Sequence, residues 1–148
     1  MPPPTGTGTA GTSSTVTARV TSQDKTNSWA KAGLMLRNNI ASAGSSNGYL
    51  VLATTPGNGI ALSYDSNSDG YLDTNTLKTG SATVAPVWLR LVRSGTSVTG
   101  SYSADGTTWT TVGTATPTGA NSTLDAGMFS TAHAGSTGTA SFTQFSVS

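Results

Sequence analysis

The sequence predicts an all-β fold, a two-sheet antiparallel sandwich, on three observations. Thr, Ser and Gly supply 67 of the 148 residues, and these residues favour strands and turns. Glu is absent, whereas a helical chain draws on Ala, Leu, Glu and Lys. From Thr15 onward, short segments of alternating polarity are separated by turn signals, the pattern of a sandwich or barrel.

The elements follow in order. Residues 1–14 (MPPPTGTGTAGTSS) read as a Pro/Thr/Gly-rich linker or tail, because they carry nothing large to bury, with strand pairing of the alternating TGTGTAGT as the lesser alternative. The domain proper is expected over residues 15–148. Thr15–Ser22 sets Val16, Ala18 and Val20 on one face. Lys31–Asn38 carries Leu34 and Leu36 on one face, with Met35 and Arg37 on the other. Gly48–Thr54 is nearly all apolar and reads as a central strand covered on both faces. Pro56-Gly57-Asn58-Gly59 is a hairpin turn, after which Ile60, Leu62 and Tyr64 share a face. Val87–Ser94 is the most hydrophobic strand. Turns at Ser94-Gly95-Thr96 and Asp105-Gly106 lead into Ser97–Ser103 and Thr107–Val112, and Leu124–Thr131 and Ala140–Val147 close the chain. The result is nine or ten strands in a sandwich of jelly-roll type.

Composition excludes several functions. A net charge of +1 is too small for the electrostatic footprint of a nucleic-acid binder. No apolar run approaches the roughly 20 residues of a membrane-spanning helix. Zero cysteines exclude disulfides and thiolate metal sites. The composition suits a secreted, extracellular domain, yet no basic or apolar leader follows Met1, so secretion implies a longer precursor. His133 with Ser130 or Ser136 lacks a nucleophile elbow, no pair of carboxylates is set for glycoside hydrolysis, and no catalytic residue is assigned.

Four stretches resemble one family: SWAKAGLMLRNN (28–39), YLVLATTPGNGIALSYD (49–65), VWLRLVRSGTSVTGSYSADGTTW (87–109) and GMFSTAHAGSTGTASFTQFSVS (127–148). Their order is similar to that of a concanavalin A-like jelly-roll domain, the C-terminal module of bacterial β-xylosidases and other secreted glycoside hydrolases. The resemblance implies a non-catalytic extracellular accessory domain, lectin-like and carbohydrate-binding, whose partner is a polysaccharide or surface glycan. Family members carry further strands ahead of the segment matching Thr15–Ser22, so missing N-terminal strands and an open sheet edge are expected here. An open edge recruits strands. The alternative is therefore a structural subunit of an extracellular fibre or surface layer, assembling with itself by strand addition.

The sharpest local signal is Asp65-Ser66-Asn67-Ser68-Asp69-Gly70-Tyr71-Leu72-Asp73. Calcium takes six to eight oxygens, and alternate side chains of such a loop converge on it. Asp65, Asn67, Asp69, the Tyr71 carbonyl and Asp73 are the expected Ca2+ ligands. Thr76 stands where an EF-hand has its bidentate Glu, and the competing reading is a polar hairpin tip of ordinary turn formers. For sugar contact, Trp29 is the best placed tryptophan, while Trp88 and Trp109 read as core and as packing beneath a shortened Asp-box turn. Tyr49, Tyr64 and Tyr71 offer flat faces with a hydroxyl and equally suit cross-strand pairing. Arg37 and Arg90, central in apolar strands, need partners. Asp24, Asp125, carbonyl groups or a ligand are the candidates.

Overall fold

The computed structural model describes residues 7–73, 85–132, 135 and 137–148, together with the backbone of 76–78. Eleven strands form: β1 (Thr7–Ala10), β2 (Ser13–Gln23), β3 (Lys31–Arg37), β4 (Leu50–Thr55), β5 (Gly59–Tyr64), β6 (Thr76–Lys78), β7 (Val87–Ser94), β8 (Ser97–Ser103), β9 (Thr110–Ala115), β10 (Leu124–Thr131) and β11 (Ala140–Val147). They build two antiparallel sheets, one in the order β1-β10-β3-β4-β5-β6 and the other β11-β2-β7-β8-β9. No helix occurs among the described residues.

Alternation decides what each strand buries. In β7, Val87, Leu89 and Leu91 are buried, while Trp88, Arg90 and Val92 lie on the opposite, partly exposed face. Val16, Ala18 and Val20 of β2 and Val98 of β8 join the first set in the core, facing Leu34, Leu36, Leu50, Leu52, Ile60, Leu62 and Leu124 of the other sheet. The layers approach closely at Gly100, where a Cβ would lie 3.1 Å from Leu52 Cδ1 and 3.4 Å from Leu62 Cδ1. β4 is buried throughout, with Val51 and Ala53 covered as well as Leu50 and Leu52, as a two-sided strand should be.

Two expectations need correction. The segment 1–14 is not a tail over its whole length: Thr7–Ala10 pairs with β10, from Thr7 opposite Gly127 to Ala10 opposite Leu124, and Ser13 opens β2. The edge that a missing strand would expose is thereby covered by β1. The physical reason is partly local, since Ala10 enters the core with no exposed surface, and partly an arginine. Arg93 shares the inward register of Leu89 and Leu91 and is itself buried. Its Nη1 donates to Ala10 O (3.1 Å) and Ser122 O (3.2 Å), its Nε to Gly95 O (3.0 Å), and its Nη2 to Asn121 O. One guanidinium thus ties β1, the turn after β7 and the approach to β10.

The sheet edges are β1, β6, β9 and β11. β1 and β6 have four and three residues, and β11 carries register shifts and Gln144 at φ 57°. Short or irregular edges pair poorly with further strands.

Replacing Arg93 by Met keeps the volume and removes the donors, leaving four carbonyls without their partner. A buried acceptor stripped of a charged partner costs about 1–3 kcal/mol. Arg93→Met should therefore lower the unfolding free energy by about 3 kcal/mol in urea titration, and an unchanged midpoint would show that β1 is held by other means.

Candidate functional site

β5 ends at Tyr64 and delivers Asp65, with no exposed surface, to the head of the acidic loop. Asp65 Oδ1 accepts the N–H of Asn67 (3.1 Å) and Ser68 (2.9 Å), and Oδ2 accepts that of Gly70 (2.9 Å). Asn67 Oδ1 accepts from Asp69 N (3.0 Å), and Asp69 Oδ1 from Tyr71 N (2.9 Å). Asp73 Oδ2 accepts from Ser66 N (2.8 Å) and from the Ser66 hydroxyl. These side-chain turns coil the loop so that one carboxylate oxygen from each of Asp65, Asp69 and Asp73 lies within 4.8 Å of the others. Two ligands of one Ca2+ ion can stand no further apart than about 5 Å, twice the usual bond length, a limit that the spacing of these three oxygens does not exceed. Gly70 permits the coil: its φ is +80°, and a Cβ there would lie 2.7 Å from Ser45 Cβ.

The loop is joined to its neighbours through the backbone. Asp65 N donates to Tyr49 O and Thr118 N to Asp65 O, both at 2.9 Å, and Ser46 N donates to Gly70 O at 3.1 Å. Asn38 ties its own connection to the one before β10, Nδ2 donating to Gly119 O (2.9 Å) and Oδ1 accepting from Asn121 N (2.8 Å). One end of the sandwich is therefore a single cluster of three connections: 38–49, 65–73 and 116–123.

Arg37 and Tyr49 belong to that cluster. The Arg37 guanidinium lies 4.3 Å from the Tyr49 ring centroid, and its Nη1 and Nη2 donate to Ser42 O (3.0 Å) and Gly44 O. Its partners are thus carbonyls. Asp125 instead accepts from Ile40 N (3.1 Å) and Asp24 from Thr139 N (3.0 Å). Tyr64 is half-buried and packs on the core, so it offers no open platform. Tyr71 does: it is 54% exposed, on the acidic loop. Trp29 stands apart from this group. It precedes β3 while Arg37 ends it, which puts about 20 Å of strand between them. Trp29 is half-buried, with Lys31 Nζ 5.5 Å from its ring centroid. Burial lowers the Lys31 pKa from its ordinary value.

The hairpin between β8 and β9 departs from expectation. Asp105 accepts backbone N–H groups as an Asp-box residue would, from Thr107 and Thr108 at 2.8 Å, and Ser103 Oγ donates to it at 2.9 Å. Neither tryptophan, however, takes its expected place. Trp88 is not core but half-buried on the outer face, beneath Gly106, where a Cβ would lie 3.0 Å from Cε2 of the indole. Trp109 stacks with Arg90, whose Cζ is 4.2 Å from the ring centroid. Parity along β7 is the cause, since Trp88 is one residue out of step with Leu89 and Leu91. The same parity, read at Arg93, would have revealed the buried arginine that sequence reasoning passed over. His133 and Ser136 lie outside the described residues.

Fold and site define a class: an all-β, two-sheet jelly-roll sandwich domain with an acidic loop at one end. Over residues 5–148 the chain matches, and belongs to, a family described as a protein of unknown function (DUF1349). No curated protein matches it. Among solved structures it is similar to a functionally unknown protein from Saccharomyces cerevisiae (20% identity, TM-score 0.68, covering 96% of this chain and 72% of that one). It is also similar to the GH43 protein BlXynB from Bacillus licheniformis, in a mutant form (17% identity, TM-score 0.66) and in a second structure (18%, 0.62). Both alignments cover 92% of this chain but only 27% of that protein. The shared feature is the fold.

The N–H groups of Thr108 and Thr107, then the Ser103 hydroxyl, hold the Asp105 carboxyl well below the ordinary carboxylate range. A depressed folded value means stability that is complete above the unfolded pKa of about 4 and lost as pH falls through the folded one. The difference in melting temperature between the native chain and Asp105→Ala should therefore hold from pH 7 to about 5 and shrink only in stronger acid. A gap that closes near neutrality would contradict this.

Proposed function

We propose that this chain is a non-catalytic, extracellular accessory domain that binds carbohydrate at the acidic-loop end of the sandwich, with Ca2+ held by Asp65, Asp69 and Asp73. The observation that carries the reading is Tyr71, an exposed ring borne on a loop whose three carboxylates converge. A pyranose offers an apolar C–H face to such a ring, and the hydroxyl adds a hydrogen bond. Asn67 and the Tyr71 carbonyl would complete the ion's shell as further oxygens. Likeness of this chain to a stretch of a GH43 protein, about a quarter of its length, supports an appended module.

The non-catalytic part rests on the carboxylates. The chain has six Asp and no Glu, and every Asp accepts at least one backbone N–H. Groups held as backbone caps are poorly placed to exchange protons with a glycosidic oxygen.

Two measurements test the reading. Calorimetric titration with Ca2+ should give saturable one-site binding that Asp69→Ala weakens at least tenfold; heat equal to buffer dilution removes the ion from the proposal. Affinity electrophoresis through neutral plant polysaccharides should retard the Ca2+-loaded chain, and Tyr71→Ala should abolish the retardation without moving the melting temperature. Free migration through every polysaccharide gel would sink the carbohydrate reading.

A further inference from the structure

The cations of this chain are used unequally. Arg37 and Arg93 are buried and donate to carbonyls. Arg19 and Arg90 lie on the outer face of the β11-β2-β7-β8-β9 sheet, each partly exposed. Neither guanidinium has a hydrogen-bond partner among the described residues; Arg90 Nε is buried without one, as is Arg37 Nε.

Their placement is specific. Arg19 of β2 stands opposite Trp88 of β7, and Thr17 opposite Arg90, which makes the two arginines diagonal neighbours on one face, about 7–8 Å apart at their origins. Arg90 Cζ lies 4.2 Å from the Trp109 ring centroid. A guanidinium set against a ring can still offer its terminal N–H groups to a planar acceptor. Around the pair the face is neutral: Thr17 and Ser101 flank Arg90, and Ser103 flanks Trp88 on the side away from Arg19. Asp105, the nearby acid, has one carboxylate oxygen, Oδ1, engaged by two N–H groups and a hydroxyl.

Unengaged fork donors beside indole rings call for a ligand that joins a carboxylate to an apolar ring face. We propose that this outer face is a second binding site, for polysaccharides carrying uronate groups. Arg19 and Arg90 take the carboxylates, and the exposed parts of Trp88 and Trp109 lie against the sugar rings. A nucleic acid fits less well, because its affinity comes from many phosphate contacts, and this face offers two cations. The proposal rests on the carbohydrate reading above but uses a different surface, so the two can fail separately.

The test is calorimetric titration of the full chain at about 0.15 M salt with four polymers: polygalacturonate, its methyl ester, neutral xylan and single-stranded DNA. We expect binding of polygalacturonate, at least tenfold weaker binding of the methyl ester, and at least tenfold loss in Arg19→Gln and in Arg90→Gln. Arg90→Lys, which keeps the charge but not the fork, should recover less than half of the lost binding free energy. Tyr71→Ala should leave polygalacturonate affinity unchanged. Arg19→Gln removes a partly exposed group and guards against misfolding of the Arg90 variants. Equal affinity for the acid and its ester, tighter binding of DNA, or full binding by Arg19→Gln would overturn the proposal. Binding of xylan alone, lost in Tyr71→Ala, would overturn it while sustaining the first site; binding of no polysaccharide would overturn both.

Discussion

Backbone polar groups in the long connections of an all-β sandwich have no ladder to satisfy them, and that constraint governs much of this structure. Sheet hydrogen bonds serve the strands, but the segments 38–49, 65–73, 95–97, 104–109 and 116–123 must find partners elsewhere. The chain uses its few charged side chains for this purpose. Aspartates cap amides: Asp65 alone takes the N–H groups of Asn67, Ser68 and Gly70. Arginines cap carbonyls: Arg37 takes those of Ser42 and Gly44, and Arg93 four others. A charged fraction of 9% is then no oddity. The chain carries charge where loops need it and little elsewhere.

This division also separates scaffold from surface. The apolar interior consists of Val, Leu, Ile and Ala on the two facing sheets, and its closest approach depends on Gly100 leaving room for Leu52 and Leu62. Such close packing leaves the strands little room to shift. The loop cluster inherits that constraint. Asp65 follows β5 directly, Tyr49 precedes β4 and Arg37 ends β3, so the candidate site is built from residues that adjacent strands deliver rather than from free loops. Tyr71 is the exception, carried at the tip, where exposure is useful.

Much of the fold was legible because alternation is a local property. Val16, Ala18 and Val20, or Leu89 and Leu91, announce their face within a few residues. The acidic loop was legible for the same reason, its D-x-N-x-D-G spacing being a local code for side-chain turns. What escaped was set by distant residues. Thr7–Ala10 has one buried apolar side chain, and its place depends on Leu124 across the sheet and on Arg93, far along the chain. Trp88 was misjudged for another reason: hydrophobicity of the whole strand outweighed its parity, though parity alone sets it with Arg90 rather than with Leu89. The separation of Trp29 from Tyr49 and Tyr64 follows from strand length, once β3 is known to run between the two ends.

The abundance of threonine then acquires a physical role. Solvent-facing strand positions need β-branched residues for conformational preference and polar atoms for solubility, and Thr meets both without charge. On β8 and β9, Thr99 and Thr114 stand opposite each other with hydroxyl oxygens 2.9 Å apart, a neutral cross-strand pair where many proteins would place Lys and Glu. A face built from such pairs creates almost no long-range field. Against that background a pair of uncapped arginines, or a cluster of three carboxylates, is felt by a ligand only at contact distance. Recognition on this domain is therefore expected to depend on close stereochemical fit rather than on electrostatic steering.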